Sequence, residues 1–210
     1  MLLQMLELIQ EMDTKLLYWV NGHHTPFLDF IMWWLSDTWI MIPFYATIVT
    51  ILIFKIGKKM IPLFLMIALL ILISDQLAST VIKNLFLRLR PSHNPSLEGH
   101  LRYLNGYRGG LYGFVSSHAI NVFSLSFFLK FTVGRKIKFL LPILFVWAFL
   151  VSYSRIYLGV HYPTDVIVPA ILAIPVTWFV SRLYFLFIKR IEPKHKEQYS
   201  EIQNKMYDNH

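Results

Sequence analysis

The chain is expected to fold as an all-α integral membrane helical bundle of about five transmembrane helices, preceded by N-terminal interfacial helices. Three observations predict this. Hydrophobic residues make up 56% of the 210 positions and the mean hydropathy is +0.51, above what a soluble core requires. The apolar residues run in long blocks rather than amphipathic stripes, as bilayer spans do. The Lys and Arg residues behind the net charge of +8 gather in short loops and the tail, a pattern of topology signals and anionic lipid surfaces rather than of nucleic-acid binding. The length suits one domain, and zero cysteines exclude disulfides and thiolate metal sites.

Residues 1–19 set Leu2, Met5, Leu6 and Ile9 against Glu7, Glu11 and Asp13 at helical spacing, which reads as an interfacial helix rather than a span. With those charges and Lys15 in place there is no continuous apolar signal region, so internal spans are expected to direct insertion. Residues 26–36 are too short to span and read as a second surface helix, with Trp33, Trp34 and Trp39 in an aromatic belt. Spans are expected near 38–55, 61–87, 114–132, 137–157 and 164–188, each close to the roughly twenty residues a hydrocarbon core takes. Residues 1–189 then form one membrane-embedded domain, with 1–37 as its interfacial start. Residues 190–210 are a polar, partly disordered tail. Within the second span, Asp75, Gln76, Ser79 and Thr80 are expected to make interhelical hydrogen bonds, with Asp75 also able to tune charge.

Sidedness follows from the short loops. Lys55, Lys58 and Lys59, then Arg135, Lys136 and Lys138, then Lys189, Arg190, Lys194 and Lys196 mark one side as cytoplasmic. The N-terminus, the 88–113 loop and the 158–163 turn fall on the other. That loop is itself basic (Arg88, Arg90, Arg102, Arg108), against the positive-inside rule, and a functional demand for cations is the simplest reason.

Three clusters lie on that outer side. Lys83 and Arg90, seven residues apart, span about two helical turns, or ~10.5 Å, and can share a face at the end of the second span, with Pro91 stopping the helix. As an isolated pair they read as side chains snorkelling to headgroups; beside the other clusters they read as phosphate ligands. Ser116, Ser117 and His118 open the third span after the glycines at 106, 109, 110 and 113. Either serine alone is explained as an N-cap, but a helix N-terminus also seats phosphate oxygens, and His118 can donate a proton there. Ser154 and Arg155 end the fourth span, while His161, Pro163 and Asp165 open the fifth. The four-residue spacing lets Asp165 hold one nitrogen of His161 and free the other for attack; the plain alternative is a capping Asp beside an interfacial His. The combined inventory is a phosphate-handling site at a membrane surface.

These clusters resemble the signature of the type 2 phosphatidic acid phosphatase superfamily: Lys-x(6)-Arg-Pro, Pro-Ser-Gly-His and Ser-Arg-x(5)-His-x(3)-Asp. Lys83 to Pro91 and Ser154 to Asp165 match throughout. Ser116 and His118 match the middle motif, where Val115 stands at the Pro position and Ser117 at the Gly position. The resemblance, which covers Phe27 to the end of the fifth span, implies His161 as a nucleophile forming a phosphohistidine, oriented by Asp165. It implies His118 as proton donor to the leaving oxygen, with Lys83, Arg90, Ser116, Ser117 and Arg155 around the phosphoryl group. No metal and no cofactor are implied, although His93 and His100 could form a metal pair. His93, His100, Tyr103, Tyr107 and Tyr112 are expected to shape the mouth.

The implied activity is hydrolysis of a lipid phosphate or diphosphate ester. Undecaprenyl diphosphate and lipid A rank equally as substrates, the second because the 91–113 loop is similar to the lipid A phosphatase type. Alternatives are a phosphatidylglycerol phosphate or phosphatidic acid phosphatase, a lipid phosphotransferase, and a non-catalytic binder of anionic lipid. The implied location is a bacterial inner membrane, multi-pass, with the site periplasmic and the tail cytoplasmic. The partners are the lipid substrate and the bilayer, with no nucleic acid; no oligomeric state follows.

Overall fold

A computed structural model describes residues 1–57 and 60–207, the side chains of Leu2, Ile40 and residues beyond Arg190 excepted; Lys58 and Lys59, and the side chains of Lys194 and Lys196, lie outside what is described. The protein is helical, and among the described residues no strand occurs, although Leu89 and Tyr112 form an isolated antiparallel bridge. Helix α1 covers Leu2–Gly22, α2 Pro26–Ser36 and α3 Thr38–Ile56. Thr25 caps α2 by accepting from the Leu28 N–H, with Pro26 opening the helix, and Asp37 caps α3 by accepting from the Trp39 N–H. Helix α4, Met60–Gln76, passes through a π-helical turn at Leu77–Ile82 into α5, Lys83–Phe86. Then come α6, Ser117–Val133; α7, Leu140–Tyr157; and α8, Pro163–Tyr207.

Among the described residues, three helices are long and apolar enough to cross a bilayer: Met60–Phe86, Leu140–Tyr157 and Pro163–Arg190. A fourth arises if α2 and residues 41–56, bent by 58°, count as one span. Helix α6 has 17 residues, or about 25 Å at 1.5 Å per residue, and packs between α4, α7 and α8. Its Ala119, Ile120, Phe128 and Leu129 are fully buried. Small polar residues let the backbones approach: Ser74 donates to Ser124 across α4 and α6 at 3.1 Å, and Ser126 reaches the Leu144 carbonyl on α7 at 3.2 Å. Outward faces carry Phe54, Ile61, Phe149 and Ile171, as lipid contact requires.

Four expectations change. Ser79 and Thr80 do not bridge helices; they donate back along their own helix to the Asp75 carbonyl and the Gln76 side chain, four residues earlier. Asp13 is not on a solvated face: α1 packs on α7 and α8, burying Asp13, Leu17, Val20 and Asn21. The polar tail, expected to be partly disordered, continues α8 as helix to Tyr207, in keeping with its Lys, Glu and Gln content. The second span stops short of Arg90. Its last helical residue is Phe86; Leu87 turns left-handed at φ 47°, and Pro91 holds Arg90 extended at φ −63°, ψ 154°.

The two ends of the bundle differ. At one, Ile56, Lys130, Arg135, Lys136 and Ile188 surround a common pocket. At the other, the 87–116 loop, the α7–α8 turn and helices α1 and α2 meet over a second apolar core including Leu17, Met32, Leu97, Tyr157 and Tyr162.

Candidate active site

Arg90 reaches the site from an extended segment. Its N–H donates to the Leu111 carbonyl at 3.0 Å while the Gly113 N–H donates to the Arg88 carbonyl at 2.9 Å, clamping 88–90 against 111–113. Side chains two apart on extended chain share a side. Arg88 and Arg90 therefore both turn inward, Arg90 against His161 and Arg88 against Asp165. Two glycines make room. A Cβ on Gly109 would sit 2.9 Å from Arg90 Nη1, and one on Gly113 would sit 2.9 Å from Asp165 Oδ2.

His161 lies in the short turn between α7 and α8 and is 1% exposed. Its Nδ1 is 3.3 Å from Asp165 Oδ2, and its Nε2 is 3.0 Å from Arg90 Nη1. These partners assign the tautomer: Nδ1 carries the proton toward the carboxylate, and Nε2 offers its lone pair toward Arg90. Burial first, then the charges of Arg90, Arg155 and Lys83, holds His161 well below the usual imidazole range. The ring is therefore neutral near pH 7, so the contact with Asp165 is a hydrogen bond rather than an ion pair. Burial and the neighbouring Arg155 bring Arg90 down to about 10, still charged at neutral pH.

Asp165 sits in the first turn of α8 and is fully buried. Besides His161 it accepts from the Tyr162 N–H at 3.0 Å and from Arg88 Nη1 at 2.8 Å, and its own carbonyl accepts from the Ser116 N–H at 2.8 Å. That last bond ties the start of α6 to the start of α8. Ser116 is the N-cap of α6 but makes no side-chain cap; its Oγ is buried without a partner. Lys83 donates to Ser117 Oγ at 3.1 Å. His118, in the first turn of α6, lies within the electrostatic reach of Arg155, His161, Arg90 and Lys83.

Arg155, on the last turn of α7, is 2% exposed. It donates to Ser36 Oγ and, at 3.0 Å, to the Tyr107 hydroxyl, while its Nε has no partner. The site thus gathers Lys83, Arg90, Ser116, Ser117, His118, Arg155, His161 and Asp165 from α5, the loop, α6, α7 and α8. Such a concentration of buried cations repels itself and suits an anion.

Of the expected mouth residues, Tyr107 touches Arg155, and the Tyr112 carbonyl accepts from Arg90 Nε at 3.2 Å. Tyr103 lies under Arg108, and His100 packs on Tyr18. His93 meets Ser92 instead, so the two histidines have different partners. Among the described residues, no group of three or more His, Cys, Asp or Glu side chains is placed to hold a metal.

Sequence reasoning missed Arg88, Asp13 and Ser36 as neighbours of the site. The alternation Arg88-Leu89-Arg90 could have revealed the first; nothing local marks the others. Below the site, a cavity of about 460 Å³ runs between α3, α4 and α6. Met41, Ile48, Leu52 and Leu125 line it, and Asp75, Ser117, His118 and Asn121 form its polar end.

The chain is similar to several known proteins. The lipid A 4'-phosphatase of Bacteroides thetaiotaomicron is 40% identical over 170 residues, covering 80% of this chain and 75% of that protein. The lipid A 4'-phosphatase of Porphyromonas gingivalis is 36% identical over 181 residues, covering 85% of this chain and 75% of that protein. The crystal structure of Aquifex aeolicus LpxE superposes with a TM-score of 0.57 at 26% identity, covering 80% of this chain and 94% of that one. The PAP2 superfamily pattern matches residues 64–189, the stretch that holds all eight gathered side chains, and the chain belongs to that superfamily.

Proposed function

We propose that the protein is a lipid phosphatase that removes a phosphate monoester from a lipid A-type glycolipid through a phosphohistidine on His161, without a metal. The observation that carries this is the placement of the His161 ring, with Nδ1 on Asp165 and Nε2 3.0 Å from a cation. A phosphoryl oxygen on Arg90 would bring phosphorus beside the Nε2 lone pair. Attack forms the N–P bond and breaks the ester P–O bond, and His118 gives its proton to the leaving oxygen. The bound phosphate supplies the negative charge that favours protonated His118. Water then attacks the phosphohistidine, His118 takes its proton, and inorganic phosphate leaves.

Lys83, Arg155, Ser116, Ser117 and the first N–H groups of α6 hold the phosphoryl oxygens; the unpartnered Ser116 Oγ and Arg155 Nε support this. The apolar cavity that ends at His118 suits a lipid chain. The two lipid A 4'-phosphatase relatives favour lipid A over undecaprenyl diphosphate. We further read residues 1–189 as one domain in a bacterial inner membrane. The site then faces the periplasm and the tail the cytoplasm, since Arg135, Lys136 and their neighbours lie at the end opposite His161.

Phosphate release by purified protein in detergent tests the reading, with lipid A, undecaprenyl diphosphate and phosphatidylglycerol phosphate offered in parallel and EDTA present. Fastest release from lipid A, its loss in His161→Ala and an acid-labile phosphoenzyme are expected. Full activity in His161→Ala would sink the mechanism; release that requires added divalent metal would sink metal independence. A faster rate on the diphosphate would reassign the substrate.

A further inference from the structure

Among the described residues, the mechanism leaves one buried ionic group unused. Asp13, on a helix that otherwise exposes Met5, Leu6, Leu8 and Met12, is 3% exposed. Its Oδ2 accepts from Arg88 Nη2 at 2.6 Å, and its Oδ1 accepts from the Thr164 N–H at 2.9 Å. The Thr164 hydroxyl also donates to it. Arg88 in turn donates through Nη1 to Asp165 Oδ1 at 2.8 Å, and its guanidinium lies 4.1 Å over the Tyr162 ring. A chain of charge therefore runs Asp13, Arg88, Asp165, His161, beginning in α1 and ending at the proposed nucleophile.

We propose that Asp13 is a positioning residue for the reaction: it neutralises Arg88, so that Asp165 stays turned on His161 with its negative charge available to the imidazole.

The charges explain why a second carboxylate is needed. Arg90 from the loop, Arg155 from α7 and Lys83 from α5 face His161, with His118 of α6 beside them. Arg88 and Arg90 face Asp165, and Arg88 faces Asp13. Attack by Nε2 leaves positive charge on the ring, which Asp165 must support against those cations. An uncompensated Arg88 would pair with Asp165 one to one and draw that support away. Asp13 makes the group two carboxylates to one guanidinium. It also fixes the first turn of α8, which carries Asp165, by accepting from the N–H next to Pro163.

This rests on the proposed role of His161, and the test separates the two. In the full-length protein in detergent, Asp13→Asn keeps an acceptor for Thr164 but loses the charge. The expected result is a fall in kcat of roughly tenfold, the effect of about one pK unit, with KM little changed. The NMR resonance of the His161 Nδ1 proton, read without substrate in 15N-histidine-labelled protein, should move upfield as its bond to Asp165 weakens. Asp13→Glu should recover part of the lost kcat. In an Arg88→Gln background, Asp13→Asn should cost little more, because the link is already cut. Thr164→Val removes a hydroxyl bonded to both Asp13 and Arg88 but no charge, so it should lower Tm and move the resonance less than Asp13→Asn does. An unmoved resonance in Asp13→Asn, or losses that simply add in the double variant, would overturn the inference. Inactivity of His161 as nucleophile would show separately in His161→Ala.

Discussion

Nη1 of Arg90 lies 3.0 Å from Nε2 of His161, so a cation and the lone pair proposed to attack converge on the space of one phosphoryl group. The same closeness sets the pH behaviour. Burial, then Arg90, Arg155 and Lys83, keeps His161 unprotonated at pH values where a free imidazole is half charged. As pH falls through that lowered value, Nε2 gains a proton and activity is lost. The acid limb of kcat/KM should therefore lie below about pH 6.5. Arg90→Gln removes one repelling charge, so its limb should move to higher pH while kcat/KM drops. A pH–rate profile of both proteins checks this; a wild-type limb above pH 6.5 assigned to His161 would contradict it.

Lys83 is part-buried beside Arg90 and Arg155, and Ser117 is its hydrogen-bond partner. Lys83, Arg90 and Arg155 repel one another, and Asp165 and Asp75 offset that repulsion only in part, since burial and the two arginines still disfavour the Lys83 charge. Lys83→Met should stabilise the phosphate-free protein by about 1 kcal/mol while lowering lipid phosphatase activity at least severalfold. Thermal unfolding in detergent, with and without orthovanadate, reads both changes: the variant should start higher and gain less from the anion.

Gly113 and Gly110 are three residues apart and should respond oppositely to the same substitution. A Cβ on Gly113 meets Asp165 Oδ2 at 2.9 Å and Arg90 Cγ at 3.1 Å, whereas one on Gly110 meets nothing within 4 Å. Gly113→Ala should cost on the order of tenfold or more in kcat, since displacement by about 1 Å of the pair proposed to hold nucleophile and phosphate has that scale. Gly110→Ala should stay near wild type. Comparable activity in the two would refute the packing argument.

Much of this arrangement was legible from the chain. The apolar blocks gave the helices, and the four-residue spacing of His161 and Asp165 gave a hydrogen bond closed locally by the turn into α8. Arg90 was legible as a neighbour of the His161 cluster but not in its route. Helical spacing from Lys83 suggested a shared face, while Leu87 and Pro91 impose an extended approach that only the loop's pairing with 111–113 completes. Asp13 was misread for a different reason. Its pattern along α1 is that of a polar face, yet α1 packs on α7 and α8 there and sets Asp13 against Arg88, 75 residues away. Ser36 likewise meets Arg155 across 119 residues, which periodicity cannot report.

Ser116 offers a test of the phosphate seat with the fold held constant. Its Oγ is buried without a partner. Removal of an unpaired hydroxyl should leave stability unchanged or slightly raised, whereas a hydroxyl that meets a charged phosphate oxygen contributes about 1.5–3 kcal/mol to binding. Ser116→Ala should therefore keep its Tm yet bind orthovanadate at least tenfold more weakly. A fall in Tm with unchanged vanadate affinity would reverse that assignment.

Asn21 spans the seam between the first helix and the rest. Its side-chain amide donates to the carbonyls of Arg102 and Tyr157 at 2.9 and 2.8 Å, and its oxygen accepts from the Arg102 N–H at 2.9 Å. Trimming residues 1–22, a common economy when preparing proteins for crystallisation, would strand those backbone groups and Arg88 together. The amino-terminal helix thus acts as a clasp: Met1 and Leu3 stay exposed, and its hold on the bundle begins at Asp13 and runs through Leu17, Val20 and Asn21.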